Sequence, residues 1–161
     1  MYTVEDAMLD QTSSPSIQPS VPSTAPVKLW TPGFVAGVSF LLGFPAGIVI
    51  ASINWMRMKM NDKAIPHLIG GGVGTLVFII ALILLPGTMG RALGLLANLG
   101  VLFYLQAQMK KDIAVFGAAN RVENEGQLGG CLIGLGVLIL FLILVFGVTF
   151  VFAILGVPIP E

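Results

Sequence analysis

Between Lys28 and Arg57 the chain runs for 28 residues without a charged side chain, and the pattern recurs. Lys63 to Arg91 encloses 27 uncharged residues, Arg91 to Lys110 encloses 18, and after Glu125 no charge follows until Glu161. About 20 predominantly apolar residues are needed to cross a hydrocarbon layer of about 30 Å. Charge spacing therefore points to a membrane bundle rather than a soluble domain. Composition agrees, with 56% hydrophobic and 10% charged residues, where a soluble domain carries about 25% charged. The expected fold class is all-α: an integral membrane bundle of about four transmembrane helices over residues 29–161, behind a disordered Pro/Ser-rich tail at residues 1–28.

The tail is read from Pro15, Pro19, Pro22 and Pro26 among serines and threonines, a composition that cannot bury enough apolar surface to offset its ordering entropy. Glu5, Asp6 and Asp10 stand where a basic n-region would be, so no cleaved signal peptide is expected.

The expected spans are about 33–54, 66–85, 89–106 and 128–155. In the first, Thr31 suits the cap and Pro32 the opening helical position, where no amide donor is needed. Trp30 and Trp55 bracket it in sequence, as interfacial aromatics do at two headgroup levels. Pro45 removes a donor and crowds the carbonyl of Leu41, which predicts a kink. Ser39, Gly43, Gly47 and Ala51 recur every four residues around it. Such a stripe lets another backbone come close, which is how helices associate in lipid. Gly70 and Gly74 in the second span offer a further close-approach pair, and Gly90, Gly94 and Asn98 form a stripe in the third. Packing is preferred to a substrate cavity at Pro45 because no charge accompanies the kink.

Basic residues orient such a bundle. The connections around Arg57, Lys59 and Lys63, and around Lys110, Lys111 and Arg121, oppose only Lys28 and Arg91 in a four-span topology. Both basic connections are then cytoplasmic and both termini outside. Trp30, Trp55, Arg57, Lys59, Lys63, Arg91, Lys110 and Lys111 are the expected interfacial anchors.

Little chemistry is visible. Met56 and Met60 would share a helix face, as a pair of soft Cu(I) ligands requires, but the interleaved Arg57 and Lys59 favour an ordinary membrane border. His67 lacks nearby carboxylates or cysteines in sequence, so neither a metal site nor a base is expected there. Asn98, mid-span, should find a hydrogen-bond partner on another helix. With no nucleophile–base pair and no metal-ligand cluster, no enzyme activity, catalytic residue, cofactor or metal is expected. Net charge is zero, which supplies no attraction to nucleic acid.

Pro32, Ala36, Phe40, Gly43, Pro45, Gly47, Asn54, Trp55 and Arg57, with Gln108, Ile113 and Gly117 later, give the chain a pattern that resembles a group of small bacterial multi-pass membrane proteins with no established activity. The resemblance implies a bacterial inner-membrane location and adds no site residues. The functional expectation is an accessory or structural component acting through helix–helix packing, with the bilayer and a homo- or hetero-oligomeric membrane partner as its contacts. The alternative is a small oligomeric transporter or channel.

Overall fold

A computed structural model describes residues 25–85 and 87–156. Their elements run β1 (Val27–Leu29), α1 (Pro32–Leu41), α2 (Phe44–Arg57), α3 (Asn61–Leu84), α4 (Gly87–Ala119), β2 (Val122–Asn124) and α5 (Gln127–Ile154). The expected disordered tail lies, through residue 24, outside the described residues. Val27 and Lys28, assigned to it, instead pair as a strand with Val122 and Glu123.

Three helices, α3, α4 and α5, are long and apolar enough to cross a membrane. The first expected span is not one helix. It is cut between Leu41 and Phe44, and its halves fold back on each other. Thr31 Oγ1 caps α1 by accepting from the amide of Phe34. At the far end the Leu42 amide still reaches the Val38 carbonyl, and Gly43 then takes φ +92°, which turns the chain. That conformation is open to glycine and costly for residues with a Cβ. Pro45 falls in the first turn of α2, where its missing donor costs nothing. The proline expected to kink a helix opens a new one.

Two contacts prove the reversal. Ser39 and Gly47 would be about 12 Å apart along one continuous helix, yet a Cβ built on Gly47 would lie 2.7 Å from Ser39 Oγ. Asn54, near the end of α2, bonds the backbone of Trp30, just before α1. Trp30 and Trp55 therefore do not bracket a span. They sit at the same end of the bundle and are buried.

The turn from α2 into α3 closes as a Schellman motif. The Met60 amide donates to the Trp55 carbonyl and the Lys59 amide to that of Met56, with Lys59 in the left-handed position at φ 60° that glycine more often fills. Met56 and Met60 are thus split between a helix end and the next helix's cap and share no helical face. α3 starts at Asn61 and carries Pro66 inside its second turn. α4 runs on to Ala119, well past the expected end at 106. Its 33 residues measure about 50 Å, more than a bilayer core requires.

β1 and β2 pair in parallel, so α1 and α5, which follow them, leave the same end of the bundle in the same direction. The pairing continues along both helices. Phe34 packs at Gly130, and Val38 and Leu42 at Gly134, where added Cβ atoms would come within 3.0 Å of these side chains. The α1–α2 hairpin is the hub. It supplies most of the buried core, including Val35, Val38, Ala46, Ile50, Ala51 and Trp55, and α3, α4 and α5 pack around it. Their outer faces expose Ile69, Val73, Leu96, Phe103, Ile143 and Phe146.

Candidate functional site

The polar side chains gather at two levels of the hairpin, its mouth and its tip. At the mouth, Asn54 binds Trp30 twice: its Oδ1 accepts from the Trp30 amide at 3.1 Å, and its Nδ2 donates to the Trp30 carbonyl at 2.8 Å. This pair closes the hairpin as a β-ladder would, with a side-chain amide replacing one strand. The Trp30 indole donates to the Gly126 carbonyl, tying the mouth to the start of α5. Arg57 lies over the Trp30 ring at 4.4 Å, and its Nη1 reaches Glu125 Oε2 at 2.9 Å and the Lys28 carbonyl at 3.0 Å. The ion pair is about one-third exposed and so contributes little by itself. Its geometry matters more, because it joins the chain before α1, the end of α2 and the entry to α5.

Beside it lies a buried carboxylate. Asp112 of α4 is 4% exposed and accepts from Trp55 Nε1 at 2.8 Å and Lys63 Nζ at 2.7 Å. Each oxygen therefore has one charged or polar donor, as burial of a carboxylate demands. His67 packs against Trp55, with ring centroids 4.5 Å apart and the planes tilted by 44°. Its Nδ1 meets the Lys63 carbonyl and its Nε2 the Tyr104 hydroxyl, both at 2.7 Å. A carbonyl only accepts, so Nδ1 carries a proton and donates it to Lys63. The histidine that stands alone in sequence is one member of a Trp55–His67–Tyr104 aromatic column beside Asp112.

At the tip, the Phe44 amide donates to Asn98 Oδ1 at 2.7 Å. This satisfies a helix-start donor that has no intrahelical partner, at a depth where the bundle offers little other polarity. Phe44 also meets Phe78 edge-on at 5.2 Å. Around the tip opens a cleft of about 530 Å3, lined by Phe40, Phe78, Leu82, Leu138, Phe141 and, from α4, Gly90, Arg91, Gly94 and Asn98. A second groove, about 430 Å3, separates α3 from α4, with Gly70, Gly71 and Gly74 on one wall and His67 and Tyr104 among its lining residues.

The sequence-derived packing residues divide into those that meet something and those that do not. Ser39, Gly47 and Ala51 are buried inside the hairpin, so their stripe faces the chain's own other half and not a partner. Gly43 makes the turn and Pro45 follows it. Gly90 lies against Leu82, and Gly94 lies 3.8 Å from Phe78 on the same Cβ construction. Gly70 and Gly74 have nothing within 4 Å of an added Cβ. Of the expected anchors, Lys63 and Arg57 serve the mouth, Lys59 forms the turn, and Lys110 and Lys111 are exposed on the extension of α4. Arg91 is exposed at the other end.

Sequence reading missed Asp112, Tyr104, Gly71, Gly130 and Gly134. One signal was available: Leu105, Met109 and Asp112 follow i, i+4, i+7 spacing, so the carboxylate continues a buried stripe. Another was Lys63 with His67, one helical turn apart.

No family model, curated protein or solved structure matches the chain. Among the described residues, no group of three or more His, Cys, Asp or Glu side chains is placed to hold a metal ion.

Proposed function

We propose that the chain is an integral membrane protein in which α3, α4 and α5 cross and the α1–α2 hairpin re-enters from one side, and that it serves as an accessory or structural component for a membrane partner. The hairpin carries this reading. α1, with 10 residues, is about 15 Å long, half a bilayer core, and the two ends of the hairpin meet at Trp30 and Asn54. Non-helical backbone at membrane depth is tolerated where protein or a cavity meets it, and here Asn98 of α4 receives the Phe44 amide just after the break. The polar groups are directed inward at mouth and tip, while the outer faces stay apolar.

Orientation follows from the same fold. Lys28, Arg57, Lys59, Lys63, Lys110, Lys111 and Arg121 fall at the hairpin-mouth end and Arg91 at the other. Seven against one supports a cytoplasmic mouth, with the chain entering α1 on that side and the end of α5 outside. The resemblance noted above supports a bacterial inner membrane. In a Cys131→Ser background, Lys28→Cys and Lys110→Cys are expected to resist an impermeant thiol reagent in intact cells, while Thr88→Cys reacts. Labelling of Lys28→Cys from outside would overturn the hairpin topology.

The role itself is tested by capturing the tagged protein from its native membrane in mild detergent and determining the mass of the complex. Gly70 and Gly74 leave open space where a Cβ would stand along the α3–α4 groove, which makes them the expected contact. A partner at fixed stoichiometry, lost in Gly70→Leu/Gly74→Leu, is the expected result. A lone monomer, or a complex unchanged by that variant, would overturn the accessory role.

A further inference from the structure

We propose that the cleft at the hairpin tip is a binding site for an anionic phospholipid, with one acyl chain between the hairpin and α4–α5 and the phosphate on Arg91. The cleft has the volume of a small-molecule site, about 300–1,000 Å3, and its walls are apolar: Phe40, Leu41, Phe78, Leu82, Leu138 and Phe141. Its polar side chains are donors. Arg91 is one. Asn98, which also lines the cleft, is the other, since its Oδ1 accepts from the Phe44 amide and its Nδ2 can only donate.

Charge decides the class of occupant. Asp62, Asp112, Glu123 and Glu125 are the carboxylates among the described residues, and all lie toward the hairpin mouth. Arg91 and Asp112 are 21 positions apart on one helix, which is about 30 Å. Arg91 accordingly has no carboxylate within reach among the described residues and makes no ion pair there. An arginine at the edge of an apolar cleft in a bilayer is complementary to a molecule with an anionic head and a hydrocarbon tail. Phosphate offers the guanidinium a two-pronged acceptor. Simple snorkelling would draw Arg91 to any anionic headgroup. The cleft adds a bound chain, and with it a defined stoichiometry.

This inference goes beyond the accessory role and does not depend on it, because lipid retention is read on the isolated protein and the partner on the native complex. The full chain, delipidated in mild detergent, is mixed with phosphatidylglycerol, with phosphatidylcholine of identical chains, or with free palmitate, and examined by native mass spectrometry. One phosphatidylglycerol per chain is expected, retained at least tenfold better than phosphatidylcholine. Arg91→Gln should remove that preference and Arg91→Lys keep most of it. Leu138→Trp and Gly94→Leu fill the cleft from different helices, and each should abolish one-to-one retention with Arg91 intact. Melting temperature of each variant verifies folding, and Leu138→Trp stands in if Gly94→Leu does not fold. Equal retention of both phospholipids, several lipids bound regardless of Leu138→Trp, or tighter retention of palmitate than of phosphatidylglycerol would each overturn the proposal.

Discussion

Gly47→Leu abolishes recovery of folded, monodisperse protein, because the hairpin cannot close over a side chain at that position. An added Cβ would stand 3.0 Å from Ser39 Cα, a backbone atom that no rotamer change can move. Even Gly47→Ala should cost about 2–3 kcal/mol, at the upper end of overpacking penalties. The cost belongs to one contact, so it is reversible: Ser39→Gly in the same chain removes the opposing Cβ and Oγ and should restore at least half the loss. Ser39→Gly alone should be mild, since its buried hydroxyl has no hydrogen-bond partner among the described residues. A thermal-melt double-mutant cycle in detergent measures the coupling. If Gly47→Ala and Ser39→Gly prove additive, the two residues do not touch and the hairpin is wrong.

Asp112→Ala has the second largest expected effect, a loss of about 3 kcal/mol. It strands the buried Trp55 N–H, and an unsatisfied buried donor costs about 1–3 kcal/mol, on top of the lost hydrogen bond to a charged acceptor. Lys63 adds little, because its side chain is 41% exposed and returns to water. Asp112→Asn keeps an acceptor for the indole and should lose less than half as much. Trp55→Phe removes the donor, so Asp112→Ala should then cost markedly less than in the native chain. The control is Lys110→Ala on the exposed side of the same helix, expected within ~0.5 kcal/mol of native. A loss for Asp112→Ala no greater than that of the control would remove the carboxylate from the architecture.

The first prediction rests on a contact that spans the break at Gly43, and this is where sequence and structure part. Pro45, Gly43 and the small-residue stripe were visible in sequence, as was their use in close helix approach. Their direction was not. Ser39, Gly43, Gly47 and Ala51 line one face only if the helix continues through Pro45. Once Gly43 turns the chain, the same spacing sets Ser39 against Gly47. A proline inside an apolar run is consistent with a kink or with the first turn of a new helix, and local sequence does not separate them. Asn54 and Asn98, which secure the two ends of the hairpin, act over separations of 24 and 54 residues that no periodicity records.

The sequence by itself determined the class of element and the length of its apolar runs. Long uncharged windows and few polar side chains leave helices as the means of satisfying the backbone in lipid, and α3, α4 and α5 follow from that. The tertiary structure decided how many segments run the full length of the bundle, which end each charge occupies, and what His67 and Asp112 touch. The physical reason is that hydropathy measures transfer from water, a property of each segment alone. Reversal at Gly43 depends on whether a distant amide, that of Asn98, is present to receive the donor that the break sets free.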